Sequence, residues 1–129
     1  MDEILELNEE IRNQNGVQFC SYGEFSTMNA EEQEPKFISS NYFLAVRIKD
    51  EFVWEIVILN ESGAAQICQP INSLLSYNID ESQNCIQFIY APENTNIGVC
   101  QFKFMHPSAN VNLKYVICCG LALDTKKMH

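Results

Sequence analysis

The groups in this sequence able to do acid–base, nucleophilic or metal chemistry are few. They are two histidines, His106 and His129, six cysteines, and a surplus of carboxylates, 17 Asp and Glu in all. Nucleophilic catalysis needs a Ser, Cys or Thr held by a base, usually histidine. His106 stands where a strand pattern gives way to a helix pattern, and His129 is the last residue. A histidine at such a junction reads as a surface or capping group. Zinc needs paired Cys or His ligands at short spacing. Cys118 and Cys119 are adjacent but no C-x-x-C occurs, and the five glycines are too scattered for a phosphate-cradling loop. The carboxylates gather in loops and at the N-terminus, where they read as solvated charge. The expectation is of no enzyme: no catalytic residue, no metal site and no cofactor.

Charge narrows the partners. A formal net charge of -9, with only eight Lys and Arg, opposes the counterion-releasing contacts that dominate nucleic-acid affinity. It opposes docking on anionic membranes in the same way. The start, MDEILELNEE, is acidic and lacks the basic, then apolar, plan of a secretory signal. No apolar run reaches the length of about 18 residues needed to span a bilayer. A soluble intracellular protein follows as the expectation, with Cys20, Cys68, Cys85, Cys100, Cys118 and Cys119 reduced and mostly buried as small core residues. Its partners should be other proteins.

The elements that would position any site read as one domain. Residues 2–14 suit a short acidic helix with Ile4, Leu7 and Ile11 as a narrow apolar stripe, stopped by Gly16. The stripe must pack, on the chain's own sheet by preference or otherwise on a partner. VQFCSYGEF (17–25) reads as a strand, and STMNAEEQEP (26–35) as an acidic loop ending at Pro35. The clearest signal is a hairpin over 41–59. Leu44, Val46 and Ile48 share one face, Ala45 and Arg47 the other, and Phe52, Trp54, Ile56 and Ile58 line the returning strand beyond a Lys49-Asp50-Glu51 turn. After the turn Asn60–Gly63, 64–68 is a short strand broken by Pro70, and 71–79 contains another. CIQFIYA (85–91) and VCQFKF (99–104) are strong strands around the loop APENTNIG, with Cys100, Phe102 and Phe104 inward. Pro107 and Ser108 then open a helix over 109–123. Leu113, Val116 or Ile117, Gly120 and Leu123 form its main stripe, and Tyr115, Cys119 and Ala122 a second. Gly120 costs about 1 kcal/mol against Ala in a helix, which points to close approach of helix and sheet. About seven antiparallel strands closed by one helix is the order of a pleckstrin-homology-like bent sandwich. The division is a helix at 1–16, the domain at 17–125 and a tail at 126–129. The carboxylates of the AEEQEPK loop would repel an inositol phosphate.

Several pieces occur in an order that resembles a known family. They are Tyr22-Gly23-x-Phe25, the hairpin YFLAVRIKDEFVW, Cys85-Ile86-x-Phe88, Phe102-x-Phe104 and Cys118-Cys119-Gly120. Together they are similar to the N-terminal domain of the meiotic recombination factor family called "Rec one-fourteen", across most of 19–123. The loop at 26–35 and the stretch 64–82 do not match. The resemblance implies a non-catalytic, nuclear, chromosome-axis scaffold of the DNA double-strand-break machinery. It also implies partner contacts on the strand matching Cys85–Tyr90, and a separate oligomerising C-terminal segment, so that this chain would be a piece cut at the domain edge. The equal alternative is another adaptor of the superfold, Ran-binding or EVH-like.

Two surfaces follow. The first is a peptide-docking face at Gln87, Ile89, Gln101 and Lys103, extended by Tyr115 on the helix, with Gln87 a polar departure from an aliphatic anchor. Its strand parity stays open, since Ile86 and Phe88 also suit the core. The second is self-association through Ile4, Leu7 and Ile11, giving a homo-oligomer.

Overall fold

The computed structural model describes residues 2–29, 34–90 and 98–127. A helix, α1 (Asp2–Arg12), precedes seven strands and a closing helix, α2 (Ala109–Lys127). The strands are β1 (Val17–Asn29), β2 (Lys36–Asp50), β3 (Val53–Leu59), β4 (Ala65–Ile71), β5 (Tyr77–Asp80), β6 (Cys85–Tyr90) and β7 (Gly98–Phe104). They form one antiparallel sheet in the order β4-β3-β2-β1-β7-β6-β5.

The sheet bends at β1. This strand pairs with β2 along most of its length, but with β7 only from Gly23 to Asn29. Register shifts fall between Gly23 and Phe25 and between Phe25 and Ser26, and such irregularities bend a strand and increase its twist. The two halves of the sheet therefore face each other. Leu44, Val46, Ile56 and Ile58 from one half meet Ile86, Phe88 and Phe102 from the other in a single core. α2 closes that core with Ala109, Leu113 and Ile117. Phe19 and Phe104 meet edge to face with ring centroids 5.9 Å apart.

α1 covers the other face of β1–β3. Ile11, 2% exposed, sits with Cys20, Phe43, Ala45, Val57 and Leu59, and Ile4 and Leu7 pack against the same group. The stripe packs on the chain's own sheet, the alternative preferred from the sequence, with Ile11 buried and Ile4 and Leu7 half-buried. The hairpin is also buried on both faces, so Ala45 is core rather than outward. Arg47 turns aside to pair its Nε with the buried Glu55 carboxylate at 2.8 Å, directly across the ladder.

Other expectations need correction. β1 runs on through Asn29 and β2 starts at Lys36, so the loop of 26–35 is much shorter; residues 30–33 lie outside those described. Pro70 does not break its strand but sits inside β4 opposite Glu55, which an edge strand tolerates because one side of its backbone needs no partner. Ile48 is exposed at the hairpin end, where the ladder shifts register. Ser108 sets the start of α2 through its carbonyl, which accepts from the Asn112 N–H at 3.4 Å. α2 extends to Lys127, taking in part of the expected tail. Leu113 and Ile117 are buried and Gly120 meets Ile71, as the main stripe requires, whereas Tyr115 and Ala122 of the second stripe are exposed. Cys20, Cys85 and Cys100 are buried, but Cys68 and Cys118 are exposed and Cys119 is half-buried. No helix among the described residues is long and apolar enough to cross a membrane.

Candidate partner-docking surfaces

Strand register builds the first surface. Side chains alternate across a strand, and Ile86 and Phe88 pair inward with Phe102 and Cys100. The intervening residues therefore share the outer face of β5–β6–β7 and the second half of β1. They stand in three cross-strand rows. Asp80, Cys85, Lys103 and Glu24 form one; Asn78, Gln87, Gln101 and Ser26 the next; Ile89, Val99 and Met28 the last. The face thus grades from charged, through an amide row, to apolar. Gln87 Nε2 donates to Gln101 Oε1 at 3.0 Å, locking the middle row. Ile89 is 40% exposed, and Ser76, Tyr77, Asn78, Gln87 and Val99 line a shallow recess of about 230 Å³ beside it. Burial raises the Cys85 thiol pKa, with neighbouring Asp80 raising it further and Lys103 lowering it.

Gln87, Ile89, Gln101 and Lys103 are therefore brought together as the sequence suggested, and the parity question is resolved with Ile86 and Phe88 inward. Cys85 stands on the outer face, opposite Asp80 and Lys103. Tyr115 is not part of this face. It is 72% exposed on α2 and lines a different cleft. The rows add Asn78, Ser26 and Met28, which sequence reasoning missed because their strands were short or read as loop.

The second surface is that cleft, which runs between α1 and α2. Its floor is the first half of β1, and along Val17–Tyr22 no described strand pairs with the edge opposite β2. Arg12, Phe19, Cys20 and Asn112 line it throughout. Val111, Tyr115 and Val116 extend one end, around about 620 Å³ of open volume. Burial pushes the Cys20 thiol pKa up to about 12, so it is a neutral thiol, donating to the buried Asn8 Oδ1 at 3.3 Å.

Two further polar groups join elements of the fold. The exposed His106 accepts the Ser108 N–H on its Nδ1 at 3.3 Å, with the Ser108 hydroxyl 3.1 Å from the same nitrogen, which is a local cap two residues apart. Asn84, at φ 55°, is a hub that the sequence does not disclose. Its Nδ2 donates to the carbonyls of Phe104 at 3.2 Å and His106 at 2.6 Å, and its Oδ1 accepts from Asn110 Nδ2 at 2.6 Å. It ties the β5–β6 turn to the start of α2. Among the described residues no group of three or more His, Cys, Asp or Glu is placed to hold a metal.

No protein-family model matches the chain, and no curated protein matches its sequence. Solved structures do match in fold. The crystal structure of the Ran-binding domain of the nuclear complex component Nup2 from Ashbya gossypii superposes with a TM-score of 0.63 at 11% identity, covering 84% of this chain and 96% of that one. The fold is therefore that of a pleckstrin-homology-like domain: a curled seven-stranded antiparallel sheet with one C-terminal helix and a short N-terminal one.

Proposed function

We propose that the chain is a non-catalytic docking module that holds a segment of another protein against the outer face of β5–β6–β7. One observation carries this reading. The inner face of the sheet is closed by α2 and the outer face of β1–β3 by α1, while the rows through Gln87 and Ile89 carry no described helix. A partner side chain packed on Ile89, Val99 and Met28, with polar groups meeting Gln87 and Gln101, fits how peptides use sheet surfaces and edges.

The resemblance to the meiotic "Rec one-fourteen" family supplies the partner class. The partners would be break-forming proteins, and the chain a nuclear scaffold on the chromosome axis. Support is the ordered set of strand and helix motifs, since the strand matching Cys85–Tyr90 is the one that family uses for contacts. A second reading, an adaptor of Ran-binding type, is favoured by the fold shared with the Nup2 domain.

The test is affinity capture from meiotic cells with the wild-type chain and an Ile89→Asp, Lys103→Glu variant. The expected result is enrichment of break-forming proteins by wild type, lost in the variant at unchanged melting temperature. Capture of a small GTPase by both proteins would replace the meiotic reading with the Ran-binding one. Equal capture of the same partners by both would remove the outer face.

A further inference from the structure

The cleft between the helices lies over an unfinished sheet edge, and its two walls differ in chemistry. In an antiparallel strand the N–H and C=O of one residue point to the same side. The Tyr22 carbonyl takes the Met105 N–H at 3.3 Å and the Cys20 carbonyl takes Arg12 Nη2 at 3.5 Å. Cys20 and Tyr22 therefore direct their backbone groups away from β2, along the edge that β7 occupies beyond Gly23 and abandons after Phe104. Among the described residues only the long, weak Arg12 contact covers the Cys20 carbonyl, and Arg12 is held there by exposed Glu9 at 3.1 Å.

The α2 wall is apolar, with Val111 58% and Tyr115 72% exposed beside half-buried Val116. The α1 wall is acidic: its sequence, DEILELNEEIR, carries five carboxylates and a single arginine. Glu9 borders the cleft itself. Lone exposed apolar residues are normal on a surface. Two on one helix wall, beside an open strand edge and opposite an acidic helix, specify an occupant.

We infer that this cleft binds an extended segment of a partner protein with an apolar centre and Lys or Arg at its flanks. The segment adds to the sheet at Cys20, displacing the Arg12 guanidinium from the carbonyl. Its apolar side chain enters between Phe19, Val111, Tyr115 and Val116. Its basic residues meet Glu9 and the other carboxylates of α1 in place of Arg12. This site is separate from the outer face of β5–β7, so either can stand without the other.

The experiment is selection of a random-peptide display library on the full chain, followed by binding assays with the selected peptides. Expected sequences have an apolar core and basic flanks. Their affinity falls by about tenfold or more in a Val111→Asp, Tyr115→Asp variant, the effect of removing a central apolar anchor. Both positions are exposed, so the melting temperature should hold. Arg12→Ala should tighten binding several-fold, and Ile89→Asp, Lys103→Glu should leave it unchanged. Amide hydrogen exchange at Cys20 should slow on binding, which side-chain contact alone would not produce. Selection of acidic peptides, binding indifferent to the α2 substitutions, an unaltered Cys20 amide, or no selection above background would each overturn the inference.

Discussion

Gly23→Ala tests the bend in the sheet most directly. Gly23 lies where β1 first meets β7, opposite Phe104. A methyl group there would fall inside the van der Waals envelope of the Lys103 carbonyl oxygen, 2.9 Å from Phe102 Cε1 and 3.0 Å from the Lys103 carbonyl carbon. Carbon–oxygen contacts between strands settle near 3.3–3.6 Å, so β7 must retreat by about 1 Å. That movement strains the Met105–Tyr22 rung, one hydrogen bond of about 1 kcal/mol. It also disturbs fully buried Phe102 and nearly buried Phe104, an overpacking cost of about 1–3 kcal/mol. The sum is a loss of about 2–4 kcal/mol, or roughly 10–15 °C in melting temperature for a domain of this size. Gly120→Ala is the internal control. Its Cβ would meet the Ile71 side chain at 2.9 Å, so overpacking of about 1–3 kcal/mol is offset by about 1 kcal/mol of helix propensity, and the net loss is smaller. Thermal unfolding followed by circular dichroism measures both. A Gly23→Ala melting point within about 3 °C of wild type would refute the close approach that closes the sheet.

Two further outcomes follow from buried groups. Burial raises the Cys20 and Cys100 thiols to about 12. A raised thiol pKa leaves stability intact below the ordinary value and removes it as pH climbs, so the unfolding free energy from urea titrations should be flat to about pH 9 and then fall, by up to about 1.4 kcal/mol per pH unit per thiol. A native-state maleimide reaction should label Cys68 and Cys118 first, and label Cys20 and Cys100 only on unfolding. Asn84→Ala removes the side chain that bridges Phe104, His106 and Asn110 and places a Cβ residue at positive φ. It should lower stability by about 2–4 kcal/mol, while Asn84→Gly, which keeps the backbone conformation available, loses less in the same denaturation assay.

Much of this fold is legible in the sequence, because apolar alternation is strong wherever one face is buried. The β6 and β7 strands and the main stripe of α2 are recovered from spacing alone. The misreadings have physical causes. VWEIVIL is apolar at nearly every position because α1 and α2 cover opposite faces of β3, and an alternation template assigns one of those faces to solvent. Ser26 and Thr27 read as loop because only Thr27 points inward, to pair with Cys100, and neither is apolar enough to announce a strand. Pro70 reads as a break because sequence does not disclose that β4 is an edge. Within the candidate site, alternation identifies Gln87 and Gln101 as outward, and Cys85 shares their face although its thiol is buried. Tyr115 was assigned to the wrong surface because α2 is apolar around much of its circumference. Leu113 and Ile117 are four positions apart and share the buried side, and Tyr115, midway between them in sequence, projects opposite.

The lid formed by α2 also fixes when the domain can finish folding. Chains are synthesised from the N-terminus and domains generally fold as units, and α1 meets β1 across only a short stretch of sequence. The inner face, however, stays uncovered until α2 has been made, and Leu44, Ile56 and Phe88 wait for Leu113 and Ile117. The nascent polypeptide must therefore carry a half-closed, oily trough until α2 has been made. Loss of α2 from Leu113 onward would leave that trough open and hand the chain to chaperones.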